Sequence, residues 1–303
     1  MKRNLAIRLA VGTALTAAAV AWHANRMPDA KPVPPALMPS PNARDFYTAA
    51  GAKLVDESAV GFAIANKPIE PLKSFATATK TDAAWIPTGR VLTVAEKDRI
   101  LTENSTALAT IRQGFRYPYL APLPTSFTTL LPYYSKDRSL AKLLSLEGQT
   151  RAEEGRYGEA INAYIDAIKI GTDLPHDAPL IGALVGYACQ AIGRRYAGEC
   201  VSHLSAPDAL MAAHRMEKLD ATTQSAAKTM EDEARGTEAS LLTFFKDRDW
   251  RNSLVTMIQS DENPGLSPGY RLPLLFESPK DAYDSYAAYM NLSIAITRLP
   301  WPA

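Results

Sequence analysis

Four points in this chain place an Asn, Ser or Thr three residues ahead of an acid at the head of a helical pattern: Asn42 with Asp45, Thr93 with Glu96, Ser205 with Asp208, and Ser278 with Asp281. A side-chain oxygen at such a position satisfies an orphan backbone N–H, and the acid meets the positive end of the helix dipole. Only Thr93 with Glu96 makes a full capping box. Pro279 falls in a first helical turn, where its missing N–H costs nothing. No segment shows sustained alternation of β-branched residues, so strands are expected to be few. The pattern predicts helices over about 43–55, 94–112, 136–154, 157–170, 179–199, 206–246 and 279–298, and hence an all-α fold, an irregular α-α helical array. Residues 56–92, 115–134 and 250–277 lack long helical patterns and hold much of the Pro and Gly. Within 206–246 the middle, Asp220 to Gly236, is mostly polar and small, and a kink or break is expected near Gly236.

The N-terminus has the layout of an export signal. Lys2, Arg3 and Arg8 precede an uncharged run, Leu9 to Trp22, rich in Ala, Val and Leu and followed by His23 and Arg26. The early positive charges favour the cytoplasmic side, so the chain after Trp22 is expected to cross. Fourteen residues are few for a span, which takes about 20, although Leu5 to Ile7 extend the run if Arg8 snorkels. Two readings stay open. Length favours a cleaved signal peptide; Trp22, which suits a membrane interface, favours a retained anchor. The first cysteine is Cys189, so no lipid attachment at a cysteine near the apolar run is expected. Pro28, Pro32, Pro34, Pro35, Pro39 and Pro41 then make a semi-rigid extended spacer. The expected organisation is a signal anchor or signal peptide at 1–26, a Pro-rich linker at 27–41 and a helical extracytoplasmic domain at 42–303. The domain is then membrane-tethered and single-pass, or secreted if the signal is cleaved.

The 33 basic and 32 acidic residues nearly cancel. No net field gathers phosphate backbones, which argues against nucleic acid as a partner. The two cysteines, Cys189 and Cys200, fall in one helical stretch. Eleven residues of helix put them about 16 Å apart, against the ~7 Å between Cα atoms that a disulfide tolerates. A bridge needs the helix to break at Gly193 or Gly198; otherwise both are buried or free thiols.

Between Leu144 and Ile170 the chain contains the segment LEGQTRAEEGRYGEAINAYIDAIKI. Leu144, Gly148, Gly155, Tyr157, Ala160, Tyr164 and Ala167 there fall where small and aromatic residues let two antiparallel helices pack closely. This stretch, about 141–174, resembles a tetratricopeptide repeat. The resemblance implies a helix–turn–helix with Gly155 in the turn, Ala160 approaching Gly148, and Tyr157 and Tyr164 wedged between the helices. It also implies, by analogy of fold alone, a surface that binds a partner. Arg151 and Thr172 depart from the repeat pattern. Repeat arrays usually need about 3 units, so one repeat-like hairpin must lean on neighbouring helices outside the repeat.

Motifs for catalysis are weak. Gly265-Leu266-Ser267-Pro268-Gly269 fits a serine-hydrolase string, but Pro268 lacks the N–H that such a site aims at the oxyanion. Ser-x-x-Lys occurs at Ser139 with Lys142 and at Ser225 with Lys228, without the companion motifs of penicillin-binding enzymes. No two of the four histidines have helical spacing, so neither metal nor cofactor is expected. Glu231, Asp232, Glu233 and Glu238 read as a solvated face in which Glu231 pairs with Arg235. Arg151, Tyr187, Arg194 and Arg195 are the candidate partner-binding residues, because Arg and Tyr dominate binding hot spots. The leading expectation is a tethered interaction module holding another envelope protein or peptide. The alternatives are an enzyme whose Tyr, Arg and carboxylates come together from separate helices, and a purely structural envelope protein.

Overall fold

The computed structural model describes residues 16, 18–31, 34, 36–57, 60, 92–258 and 277–299. Among these residues there is no strand. The helices are α1 (Ala43–Ala52), α2 (Val94–Glu103), α3 (Ser105–Gly114), α4 (Tyr133–Glu153), α5 (Tyr157–Asp173), α6 (Leu180–Val201), α7 (Ala206–Thr222), α8 (Ala226–Phe244), α9 (Trp250–Ile258) and α10 (Pro279–Thr297). A further helical segment ends at Ala24. The chain divides into two compact units. One holds the described parts of Ala36–Pro122 and Leu130–Ser225, and so α1 to α7. The other holds those of Met1–Pro35, Leu123–Thr129 and Ala226–Ala303, and so the N-terminal segment and α8 to α10.

Helix starts follow the caps. The Glu96 N–H donates to Thr93 Oγ1 (3.3 Å) while Glu96 Oε2 accepts from the Thr93 N–H (2.9 Å), closing the capping box. Ser205 and Ser278 accept from the N–H groups of Asp208 and Asp281, and Pro279 opens α10. Asn42 accepts from Arg44 N–H (3.0 Å) and uses the same amide to hold both backbone groups of Leu120.

Two expected helices are each divided. The stretch 94–112 breaks at Asn104, whose side-chain N–H groups donate to Ile100 O and Val55 O while its Oδ1 accepts from Val55 N–H (2.8 Å). Stretch 206–246 breaks at Thr223, not at Gly236. The hydroxyls of Thr222 and Thr223 both donate to Leu219 O, drawing on a carbonyl at the helix end. Gly236 lies inside α8, where a Cβ would meet Leu123 only at an ordinary contact distance of 3.4 Å. Helix α9 was not expected. It begins where the Asp249 N–H donates to Asp247 Oδ1 (2.9 Å), a local turn that launches Trp250.

The unit that holds α1 to α7 is built on α4, α5 and α6. Gly155 has φ +77°, and Arg156 N–H reaches Arg151 O (2.8 Å) while Gly155 N–H reaches Ala152 O (3.0 Å). This paired closure needs a left-handed residue at the glycine position. On the α5–α6 side, a Cβ on Gly186 would lie 2.7 Å from Gly171 O, so the two backbones touch. Tyr47, Ile111, Leu140, Leu143, Leu144, Ile170 and Leu174 fill one apolar cluster; Ile161, Tyr164, Ile165, Ile168, Tyr196 and Leu219 fill a second. Each such burial contributes about 1.5–3 kcal/mol. The Arg112 guanidinium ties α3 to α4 and α5 through Glu147 (2.6 Å) and Asp166 (2.9 Å), and Arg215 of α7 shares Asp166 (2.7 Å). Tyr157, expected in the wedge with Tyr164, stacks instead on His203, with ring centres 4.4 Å apart. It is the first residue of α5 and so meets the connection between α6 and α7.

In the second unit, Phe245 packs edge-on against Trp250 (5.1 Å), and Phe244 meets both Phe127 and Trp250. The acidic run on α8 is not uniformly solvated. Asp232 is fully buried and held by Lys228 and Arg235, so Glu231 pairs not with Arg235 but with Arg298 of α10 (2.5 Å). Among the described residues no helix is long and apolar enough to cross a membrane. Most of the apolar run, Leu9 to Leu15 and Ala17, lies outside the described residues, as do its leading charges Lys2, Arg3 and Arg8.

Candidate functional site

Helix α6 has two unlike faces. Gly182, Gly186, Cys189, Gly193, Tyr196 and Cys200 are buried against the rest of the unit. On the opposite side, at spacings of three and four, Leu180, Leu184, Tyr187, Ala191, Arg194, Arg195 and Gly198 form an exposed line, with Ile181 beside it. Leu184 is 53% and Tyr187 46% exposed, a large apolar area to leave in water. The line changes character along its length: apolar over its first two turns, basic near its end. Three of the four expected binding residues, Tyr187, Arg194 and Arg195, thus share one face. The Arg195 guanidinium lies over the Tyr196 ring (5.0 Å from its centre). Arg151 belongs elsewhere, pairing with Glu154 (3.2 Å) and Glu159 (4.0 Å) at the α4–α5 turn.

At that turn lies an open cleft of about 470 Å³, lined by residues that include Arg156, Tyr157, Glu159, Asn162, His203 and Asp208. Arg156 is committed to Glu154 and Glu159, an arrangement that holds Glu154 below the usual carboxylate range. A second cleft, about 420 Å³, lies in the other unit between Phe127, Phe244 and the hydroxyls of Ser126, Thr128, Thr243 and Thr256. These polar groups bond mainly to one another and to helix carbonyls, as with Ser126 to Thr128 (2.9 Å) and Thr243 to Ala239 O (2.9 Å).

A polar cluster that sequence reasoning did not single out sits inside the unit that holds α1 to α7. Tyr133, Tyr134 and Asp137 come from α4, Tyr119 from the preceding connection and Arg44 from α1. Asp137 is 3% exposed, and burial pushes its carboxyl up to about 7, with the Arg44 guanidinium partly opposing. Tyr119 and Tyr134 are raised well above the ordinary phenol range, first by burial and then by neighbours that include Asp137. Arg44 lies over the Tyr133 ring (4.8 Å). The buried Arg44 Nε and the hydroxyls of Tyr119, Tyr133 and Tyr134 have no hydrogen-bond partner, a dense group of unsatisfied polar atoms for a protein interior. No sequence motif marks it, because its members are dispersed from residue 44 to residue 137. The only signal was the aromatic and acidic density around Tyr133-Tyr134 and Asp137.

Cys189, Cys200, Ser139 and His176 are each occupied or buried. Cys189 and Cys200 are separate buried thiols, and burial raises Cys189 far above the ordinary thiol range, leaving it protonated and unreactive. Ser139 donates to Glu57 Oε2 (3.2 Å) and Ser135 O (3.1 Å). His176 bridges Asp173 O and Thr222 O. No group of three or more metal-ligating side chains occurs among the described residues. The Gly265–Gly269 string lies outside them. No protein-family model, curated protein or solved structure matches the chain.

Proposed function

We propose that this protein is an exported, membrane-tethered interaction module that holds a segment of another envelope protein along α6. The observation that carries this reading is the outward line of Leu180, Leu184 and Tyr187 leading to Arg194 and Arg195. Apolar anchors beside paired guanidiniums suit a partner segment with apolar residues followed by acidic ones. The tether rests on the sequence of the N-terminus, with support from its exposure: Ala18 to His23 are helical and exposed, and Ala24 is the first buried residue among those described. Apolar residues exposed on every side suit lipid better than water. The repeat-like hairpin of α4 and α5 serves in this reading as the platform that presents α6.

A photo-crosslinking side chain at Leu184 in the full chain, activated in whole cells, tests the reading. A discrete adduct that is lost in R194E/R195E supports it. No adduct, or one indifferent to those charges, defeats it. A second reading, an enzyme with a dispersed site, is favoured by one observation: Arg44, Tyr119, Tyr134 and Asp137 converge with unsatisfied polar atoms.

A further inference from the structure

The N-terminal segment is fastened to one place in its unit, the head of α10. Lys280 N–H donates to Arg26 O (3.0 Å), Lys280 Nζ pairs with Asp29 (3.1 Å), and His23 Nε2 lies 3.2 Å from Asp281 Oδ2. Arg251 closes the joint, donating to Ala24 O (2.6 Å) and Glu277 O (3.2 Å). These contacts begin one residue after Trp22, where the apolar run ends and a tethered chain leaves the bilayer. The first turn of α10 is therefore held at the point of exit.

Helix α10 is apolar on two opposite faces. Its inner face carries Tyr283, Tyr286, Met290 and Thr297; Met290 is buried and the other three are half-buried. The Tyr283 phenol is raised by burial and by the neighbouring charge of Glu238 on α8. On the outer face Ala288, Tyr289, Leu292, Ala295 and Ile296 are all exposed, with Tyr289, Leu292 and Ile296 between 56% and 65%, and Leu299, just past the helix end, is exposed as well. From Ser285 to Thr297 there is no charged residue, so about 20 Å of helix offers water no ionic group. A surface helix that sheds its polar face has a second apolar neighbour.

We infer that this neighbour is the bilayer itself: the outer face of α10 lies in the membrane interface beside the N-terminal anchor. The inference rests on the tether proposed above. What selects lipid over a protein partner is continuity, since α10 starts where the anchor emerges and Trp22 and Tyr289 are both exposed aromatics of the kind that settle at headgroup level. The face carries no basic stripe, so contact comes from apolar insertion without preference for anionic lipid.

The test uses the full chain reconstituted into phosphatidylcholine vesicles, with an environment-sensitive NBD label on L292C or I296C and a reference label on E217C of α7. Cys189 and Cys200 are buried and so spared in the folded chain; the unsubstituted chain, labelled in parallel, checks this. The expected result is blue-shifted emission at 292 and 296 that doxyl-labelled lipids quench several-fold more than the reference, equally with and without phosphatidylglycerol. Water-like emission on a chain that floats with the vesicles overturns the α10 assignment and leaves the tether standing. A blue shift that lipid quenchers do not touch and that fades as protein is diluted in lipid means a second copy covers the face, and also overturns it. A chain that does not float overturns both.

Discussion

The ring of Tyr164 occupies the space that a side chain on Gly148 would need: a Cβ there would stand 2.5 Å from Cε1 of the tyrosine. Tyr164 is 1% exposed and closed in by Ile161, Ile165 and Tyr196, so it cannot swing aside. Gly148→Ala is expected to destabilise the protein by about 1–3 kcal/mol through overpacking. Gly198 is the matched control, a helical glycine with no neighbouring atom within 4 Å of the place a Cβ would take. Gly198→Ala is expected to stabilise by roughly 0.5–1 kcal/mol. Urea unfolding of the two variants reads both signs. Equal effects would remove close α4–α5 contact as the reason for the glycine.

How much of this was legible depended on how local the cause was. The capping pairs at Thr93, Ser205 and Ser278 need only four consecutive residues, and each starts a helix where the sequence placed it. The break at Asn104 was not legible, because the groups that draw its side chain out of the helical pattern belong to Val55. Gly236 misled because one glycine lowers the stability of a helix without ending it, and α8 runs through it. Arg151, Tyr187, Arg194 and Arg195 were singled out by residue type, and only the structure shows that the last three share a face while Arg151 does not. Beyond the aromatic and acidic density at Tyr133, Tyr134 and Asp137, the cluster was not legible, because its chemistry appears only when α1, the 115–132 connection and α4 converge.

Asp137 gives a pH signature. Its carboxyl ionises near 3.9 in an unfolded chain but is held up to about 7 in the fold by burial. Between those values the unfolded chain gives up the proton and the folded one keeps it. The stability this group supplies is complete below about pH 4, declines as the pH rises, and is gone above about 7, a change on the order of 4 kcal/mol. Asp137→Asn removes that term while keeping the shape. Going from pH 5 to pH 8, the variant is expected to gain on the parent by about 2–3 kcal/mol. Parallel stability curves for the two proteins would mean Asp137 is not buried as an acid.

Arg112 is the hinge of an ionic group that spans four helices. Removing it in Arg112→Ala leaves Glu147 without this partner and Asp166 with only Arg215 to answer it. Side-chain exposure of 38% moderates the cost, which is expected at about 2 kcal/mol, between that of a surface and a buried pair. Arg112→Lys keeps the charge but cannot fork to two carboxylates, and is expected to recover less than half. Chemical unfolding in low and high salt checks this. A deficit that vanishes in high salt would show the group to be a screened surface pair.

The exposed line on α6 separates binding from folding. Tyr187 and Arg194 are exposed in the isolated chain, so Y187E and R194E, each made beside the crosslinking side chain at Leu184, are expected to leave stability within about 1 kcal/mol of the parent. The same changes place negative charge among the anchors and against the acidic end of the proposed partner. Loss of crosslinking with intact unfolding curves is the expected pair of results. Leu140→Ala, wholly buried on α4, is expected to do the reverse in kind, costing about 2–5 kcal/mol of stability while the fraction that remains folded still crosslinks. If Y187E unfolds the chain as L140A does, α6 is part of the core on that side and the binding face lies elsewhere.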